Sequence, residues 1–319
     1  VTAGKIFRKS PRSIRTLALL AALLALPVNL GAQEPNSPGA GTPKNPGATE
    51  HESPGTPGLK ELDTPYVPTP QAVVERMLDL AKVKAGEMVV DLGSGDGRIM
   101  ITAAKEYGAR GFGVEIDPYL VQTSNEQAVR AGVADRVKFL KQDLFKTDFH
   151  EADVLTLYLL PDVNAALRPK ILSEMKPGTR VVSHDYGMGT WLPDAQETIS
   201  APDKTVGAVK ESTVYLWIVP ARVQGSWDLE ISLGKKARHY PLTLDQQFQL
   251  ISGSVVGATK QDGEVRGKLD GPQITLELPP RMISRDRVEL VGRVTGDTAR
   301  GSVRRGDRAI ATWSARRRS

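Results

Sequence analysis

The chain has 319 residues, with 42 Lys and Arg against 37 Asp and Glu, four His and no Cys. That length holds two modest domains, or one with long appendages, and the lack of cysteine excludes disulfides and a lipid-modified cysteine. Five cations (Lys5, Arg8, Lys9, Arg12 and Arg15) lie in the first 32 residues without a carboxylate. The formal charge of +5 therefore vanishes from the remainder, which argues against a nucleic-acid-binding surface.

Those cations precede the apolar run LALLAALLAL, residues 17–26, followed by Pro27 and the small pair Gly31-Ala32. This is the layout of a Sec-type signal peptide, so residues 1–32 predict export to the periplasm or outside. An uncleaved N-terminal membrane anchor is the alternative, with membrane proximity as its consequence. Residues 33–58 are rich in Pro, Gly, Ser and Thr and carry no apolar side chain larger than Ala. Such a stretch cannot offset its ordering entropy and reads as a disordered tether, with His51 solvated. Residues 59–221 then read as one domain and 222–319 as a second.

The first domain opens with YVPTP, residues 66–70. Thr69 is a natural N-cap and Pro70 suits a first helical turn. Val73, Val74, Met77, Leu78 and Ala81 then share one helical face. From residue 87, strands near 88–92, 111–116, 136–141, 152–159 and 179–184 alternate with helices near 97–107, 118–131 and 162–176. The last helix is expected to be interrupted or restarted at Pro169. Residues 190–205 read as irregular, and 212–220 as a final strand. Buried strands alternating with helices predict an α/β fold, Rossmann-like and doubly wound, with a mainly parallel sheet. Ligands of such sheets sit beyond the carboxyl ends of the strands, where Asp91, Glu115, Asp143, Tyr158 and His184-Asp185 all fall.

The richest segment is MVVDLGSGDGR, residues 88–98. A strand ends in Asp91, a turn carries Gly93, Ser94, Gly95, Asp96 and Gly97, and a helix follows whose first N–H groups face the turn. The next strand ends in Glu115, placed to accept both ribose hydroxyls of an adenosine cofactor, with Ile116 beside it. A dinucleotide site would have a third glycine where Arg98 stands. Two acids beside the glycines disfavour a pyrophosphate and suit a sulfonium and an α-amino group, which selects S-adenosylmethionine. Asp143-Leu144, at the end of the third strand, is placed for the adenine exocyclic amine. The YVPTP segment can fold over the cofactor as a lid, with Tyr66 and Thr69 facing the site. His51, His150, His184 and His239 lack ligand spacing, so no metal is expected.

After Pro220 the sequence carries seven short alternating runs, from WDLEISL to IATWSAR, punctuated by glycine. Gln261-Asp262-Gly263 and Thr295-Gly296-Asp297 are turn signals. The pattern predicts an all-β antiparallel meander, closed as a barrel or folded as a sandwich, with Trp227 and Trp313 in its core. Arg316-Arg317-Arg318 reads as a solvated tail.

Taken in order, YVPTP, DLGSGDGRIMITAAK, GVEID, LYLLPDVN, LRPKI and KPGTRVVSHDY resemble the seven-strand protein-lysine methyltransferases. The branch is that of the archaeal broad-specificity enzymes and of the mitochondrial enzymes that modify the adenine nucleotide translocator and the membrane-ring protein of ATP synthase. The resemblance covers residues 62–220 and implies a seven-stranded sheet, S-adenosylmethionine and N-methylation of lysine in a protein substrate. It places Tyr158 and the Leu159 carbonyl beside the acceptor amine and Tyr66 above the cofactor. Transfer needs an aligned neutral amine, and Asp185, with His184 as a second candidate, is the expected proton relay. The alternatives are a small-molecule or lipid acceptor selected by the β-rich domain, and a cofactor-binding protein without turnover.

Overall fold

A computed structural model describes residues 66–234, 236–257 and 262–318. The expected signal segment 1–32 and the tether 33–58 with His51 lie outside these residues. The described residues belong to one unit, Glu61–Ser319.

Helix α1 (Gln71–Leu80) buries Val73, Val74, Met77 and Leu78, the stripe its spacing predicts, and Ala81 is buried just beyond it. Its start differs from the expectation. Pro70 occupies the N-cap with no side-chain cap, because the Thr69 hydroxyl turns instead to His184, 3.2 Å from Nδ1. Five parallel strands follow: β1 (Met88–Leu92), β2 (Arg110–Glu115), β3 (Val137–Lys141), β4 (Val154–Leu157) and β5 (Arg180–His184). Helices α2 (Arg98–Tyr107), α3 (Pro118–Arg130) and α4 (Pro161–Glu174) connect β1 to β2, β2 to β3 and β4 to β5. Helix α3 is capped by Asp117, whose carboxylate accepts from Tyr119 N, with Pro118 in the first turn.

Helix α4 runs unbroken through Pro169. Proline removes one backbone donor there. Val163 and Leu167 before it and Ile171 after it are buried in one core, which holds both halves in a single helix. The sheet ends in two antiparallel strands, β6 (Ala195–Ser200) and β7 (Glu211–Ile218), giving the order β3-β2-β1-β4-β5-β7-β6. Strand β6 falls inside the stretch expected to be irregular. Its residues are mostly exposed polar groups, so it carries little hydrophobic alternation, and pairing with β7 makes it a strand.

The two faces of the sheet have separate cores. Helices α1, α2 and α3 pack with Val89, Val154, Val182 and Val214 on one face. Helix α4, Trp191 and Trp217 pack with Val90, Leu92, Leu155 and Val181 on the other. No helix joins β5 to β6. Trp191 and Trp217 fill that space, with ring centroids 6.1 Å apart and Trp217 Nε1 donating to the Trp191 carbonyl at 2.8 Å.

The β-rich segment is a closed barrel of eight antiparallel strands, which decides between the barrel and the sandwich. These are β8 (Gly225–Leu233), β9 (Lys236–Gln247), β10 (Leu250–Val256), β11 (Asp262–Asp270), β12 (Gln273–Leu278), β13 (Val288–Thr295), β14 (Thr298–Arg305) and β15 (Arg308–Arg317). The eighth strand beyond the seven runs is β9, whose Pro241 and charged start hide it. Trp227 and Trp313 are both buried in the barrel core. The Thr295–Thr298 pair closes a two-residue hairpin over Gly296-Asp297. Asp262 starts β11 instead of sitting in a turn. The C-terminal arginines are not a free tail. Arg316 and Arg317 belong to β15, Arg317 lies over the Trp227 ring and pairs with Asp297 at 2.9 Å, and Arg318 pairs with Asp228.

Candidate active site

The parallel register sets Asp91 of β1 opposite Thr156 of β4, and the Thr156 hydroxyl donates to Asp91 Oδ1 at 2.6 Å. Asp91 Oδ2 and the Ser94 hydroxyl are buried without a partner. Burial pushes the Asp91 carboxyl up to about 7, against the opposing pull of the Thr156 bond and with help from Glu115 and Asp96. Buried polar atoms in folded proteins are nearly always paired, so two orphans at one strand end mark where a ligand's donors belong.

Leu159 lies against Gly93, and the Tyr66 ring lies against Gly95, 2.5 Å from where a Cβ would stand. Gly97 supplies the tight helix-to-sheet packing that a dinucleotide site assigns to its third glycine. A Cβ there would meet Phe139 at 2.5 Å and Ser124 at 2.8 Å. The close approach therefore survives, shifted one residue ahead of Arg98. Glu115 Oε2 accepts from Gly95 N at 3.0 Å, while Oε1 accepts from Ile116 N at 2.7 Å. This binds the tip of β2 to the turn.

Asp96 departs from the sequence expectation of an acid free to face a cationic ligand. Its carboxylate takes Arg98 Nε at 2.9 Å and Nη2 at 2.6 Å. Burial alone would raise its carboxyl, but the guanidinium prevails and holds it below the usual range. Arg98 also donates to the Thr69 carbonyl at 2.9 Å, clamping the Tyr66–Pro70 strap onto the turn. The Tyr66 hydroxyl is pushed up to about 12 by burial and then by Asp96, so it stays protonated. Replacing Arg98 by Ala is expected to weaken S-adenosylhomocysteine binding roughly tenfold, through loss of charge-assisted bonds worth about 1.5–3 kcal/mol, discounted for partial exposure. Titration calorimetry checks this, and an unchanged affinity would show that the strap holds without its clamp.

Ile116 is 70% exposed at the tip of β2, beside Glu115. Asp143 begins a 3₁₀ turn (Leu144–Lys146) and accepts from Phe145 N at 2.9 Å. Leu144 packs against the second core. These three form the wall of the rim at β2 and β3.

Tyr158 follows β4, and its ring centroid lies 3.9 Å from that of His184 and 6.1 Å from that of Tyr186. Burial, then Asp185 and Tyr186, push the Tyr158 hydroxyl up to about 12. His184 is fully buried, with Nε2 2.9 Å from the Ser212 hydroxyl and Nδ1 on Thr69. Burial lowers its pKa to about 4, outweighing Asp185, while Lys204 lowers it further. Asp185, at a left-handed φ of 58°, accepts from Thr213 N at 2.9 Å and pairs with Lys204 at 2.7 Å. Both of its oxygens are engaged. Asp185 thereby ties the rim to β7 and to Lys204. Five residues overlooked in the sequence complete the site: Thr156, Lys204, Ser212, Tyr186 and Asn164. Buried Asn164 donates to the Tyr186 carbonyl at 3.2 Å and to that of Gly187 at 3.4 Å. The LYLLPDVN motif contains Asn164, but its partners are 22 and 23 residues away.

The residues fit S-adenosylmethionine on the structure's own terms. Asp91 Oδ2 and Ser94 Oγ lack partners, the Glu115 carboxylate stands at the next strand tip, and the exposed apolar Ile116 lies beside it. Residues 91–195 match the family model described as the ANTKMT methyltransferase domain. The chain is 44% identical over 156 residues to a protein-lysine N-methyltransferase of Saccharolobus islandicus, covering 49% of this chain and 93% of that protein. It is 38% identical over 135 residues to the adenine nucleotide translocase lysine N-methyltransferase of Mus musculus, covering 42% of this chain and 58% of the relative. Among solved structures, an RNA methyltransferase from Salinibacter ruber in complex with S-adenosyl-L-homocysteine is 51% identical. That match covers 49% of this chain and 96% of the other, with a TM-score of 0.44.

Proposed function

Because this chain belongs to the S-adenosylmethionine-dependent protein-lysine N-methyltransferase family, we propose that it methylates the side-chain amine of lysine in a protein acceptor. When bound, the cofactor would supply an electrophilic methyl on sulfonium sulfur, for transfer to an amine lone pair with a neutral thioether as leaving group. Asp91 and Ser94 would hold the cofactor's ammonium, and Glu115 would take the ribose hydroxyls. Ile116, Asp143 and Leu144 flank the adenine. Tyr66 and Thr69 cover the site from the strap, and Tyr158 with the Leu159 carbonyl orients the amine.

One observation carries the acceptor reading: the wall beside Tyr158 carries no net charge at neutral pH. Tyr158 keeps its proton and His184 lacks one. The nearby charge of Asp185 is matched by Lys204. A desolvated wall without net charge disfavours an ammonium and favours the neutral amine that attack requires. The proton lost by the lysine passes to solvent.

The test is mass spectrometry of proteins incubated with the purified full chain and deuteromethyl cofactor, with total RNA and lipid extracts as parallel acceptors. Added methyl on lysine is the expected result. Label on RNA or lipid alone would sink the reading. Tyr158→Ala should lower kcat about 100-fold with cofactor affinity retained, since misalignment of reacting groups costs that order. Tyr158→Phe should stay within a few-fold, because the ring face and not the hydroxyl forms the wall.

A further inference from the structure

The tip of the β9–β10 hairpin has an unusual backbone. Gln247 pairs with Leu250, so Phe248 and Gln249 form a two-residue loop, and Phe248 has φ of +56°. Hairpins place Gly, Asn or Asp at positive φ, and a bulky aromatic there is strained. Such strain persists where surrounding contacts over-determine it, which makes it a pointer to function.

The aromatic and cation contacts of the Phe248 ring are outside the barrel. Its ring stacks on Trp191 with centroids 5.9 Å apart, and the Arg168 guanidinium lies 5.4 Å above it. Gln249 uses both ends of its amide: Oε1 accepts from Trp191 Nε1 at 3.0 Å, and Nε2 donates to the Leu192 carbonyl at 2.9 Å. Arg168 in turn donates to the Met188 carbonyl at 2.7 Å. Every one of these partners belongs to helix α4 or to the Asp185–Leu192 loop after β5. That connection has no helix of its own, and Phe248 packs against the core of the face left bare. The same loop carries Asp185 and Tyr186 to the side of Tyr158.

We infer that the barrel acts as a built-in clamp, its Phe248-Gln249 tip setting the Asp185–Leu192 loop and so the acceptor side of the active site. This rests on the lysine reading for which side the acceptor uses. Phe248 and Gln249 are positioning residues and touch no reacting atom. A barrel otherwise without a role in transfer becomes a determinant of acceptor recognition. At this strained position the large Phe248 ring reaches both Trp191 and Arg168.

The full-length double variant Phe248→Gly, Gln249→Ala tests it. Glycine suits a positive φ, so the hairpin itself should relax and the barrel should fold. Three readouts are compared with wild type: S-adenosylhomocysteine affinity, hydrogen exchange of residues 185–192, and acceptor kcat/KM. The expected result is affinity within twofold, faster exchange confined to the loop, and acceptor kcat/KM lowered roughly 10- to 100-fold. Phe248→Tyr, which keeps the ring, should behave like wild type. Unchanged kinetics overturn the clamp whether or not the loop loosens. Cofactor affinity lost in step with rate also overturns it, since that reports general unfolding. If wild type methylates no acceptor, the lysine reading fails separately, and the exchange arm alone decides the clamp.

Discussion

Asp91→Asn is expected to weaken S-adenosylmethionine binding by about 2–5 kcal/mol, roughly 30-fold to several thousand-fold, the usual cost of truncating one member of a buried charge pair. The fold should survive, because Asn can still accept the Thr156 hydrogen bond at Oδ1. The sign of the pH dependence follows from burial. The carboxyl is raised to about 7, above its unfolded value of roughly 4. A group raised in this way stabilises the cofactor-free fold fully below the unfolded value and loses that contribution as pH rises through about 7. The melting temperature of wild type, relative to the Asn variant, should therefore climb as pH falls from 8 to 5. Cofactor affinity should move the other way, weakening by up to about tenfold per pH unit below 7, because the ligand's ammonium needs the ionised carboxylate. Calorimetry across that range measures both, and a flat affinity profile would show that Asp91 is ionised throughout.

Gly97→Ala is expected to destabilise the protein by about 2–5 kcal/mol, combining a left-handed alanine (about 1–2) with overpacking (about 1–3). Gly97 has φ of +82°, and Phe139 and Ser124 fill the space a methyl would need. Gly132→Ala is the matched control: φ there is +69°, but nothing lies within 4 Å of the new carbon. The control should show the conformational cost alone. Equal melting temperatures for the two variants would mean that Phe139 and Ser124 yield without cost.

What could be read in the sequence was local. The stripe of α1, the strand-turn-helix at Asp91 and the start of α3 at Pro118 each need only neighbours in the chain, and each formed where expected. The misreadings share a cause: a partner far away in sequence overrides a local rule. Thr69 is a good cap by local chemistry, yet its hydroxyl goes to a histidine 115 residues on. Asp96 looks available until Arg98 is seen closing on it and on the strap. Strand β6 has almost no pattern, and only β7 defines it. Asp185 looks like a free acid because Lys204 and the β7 backbone are invisible in one dimension. Phe248 opens one of the short alternating runs, FQLISGSVVG, and nothing local announces a left-handed turn.

The pairing of β15 with β8 has a consequence for how the molecule matures. Residues Thr312–Arg317 zip onto Trp227–Ser232, so the cylinder cannot shut until the last strand has left the ribosome. By then every strand of the α/β sheet has already emerged, and domains generally fold as units during synthesis. The methyl-donor cleft can thus take shape first, while its acceptor flank waits for the final strand. Nascent chains stalled before residue 308 should hold the donor yet discriminate poorly among acceptors.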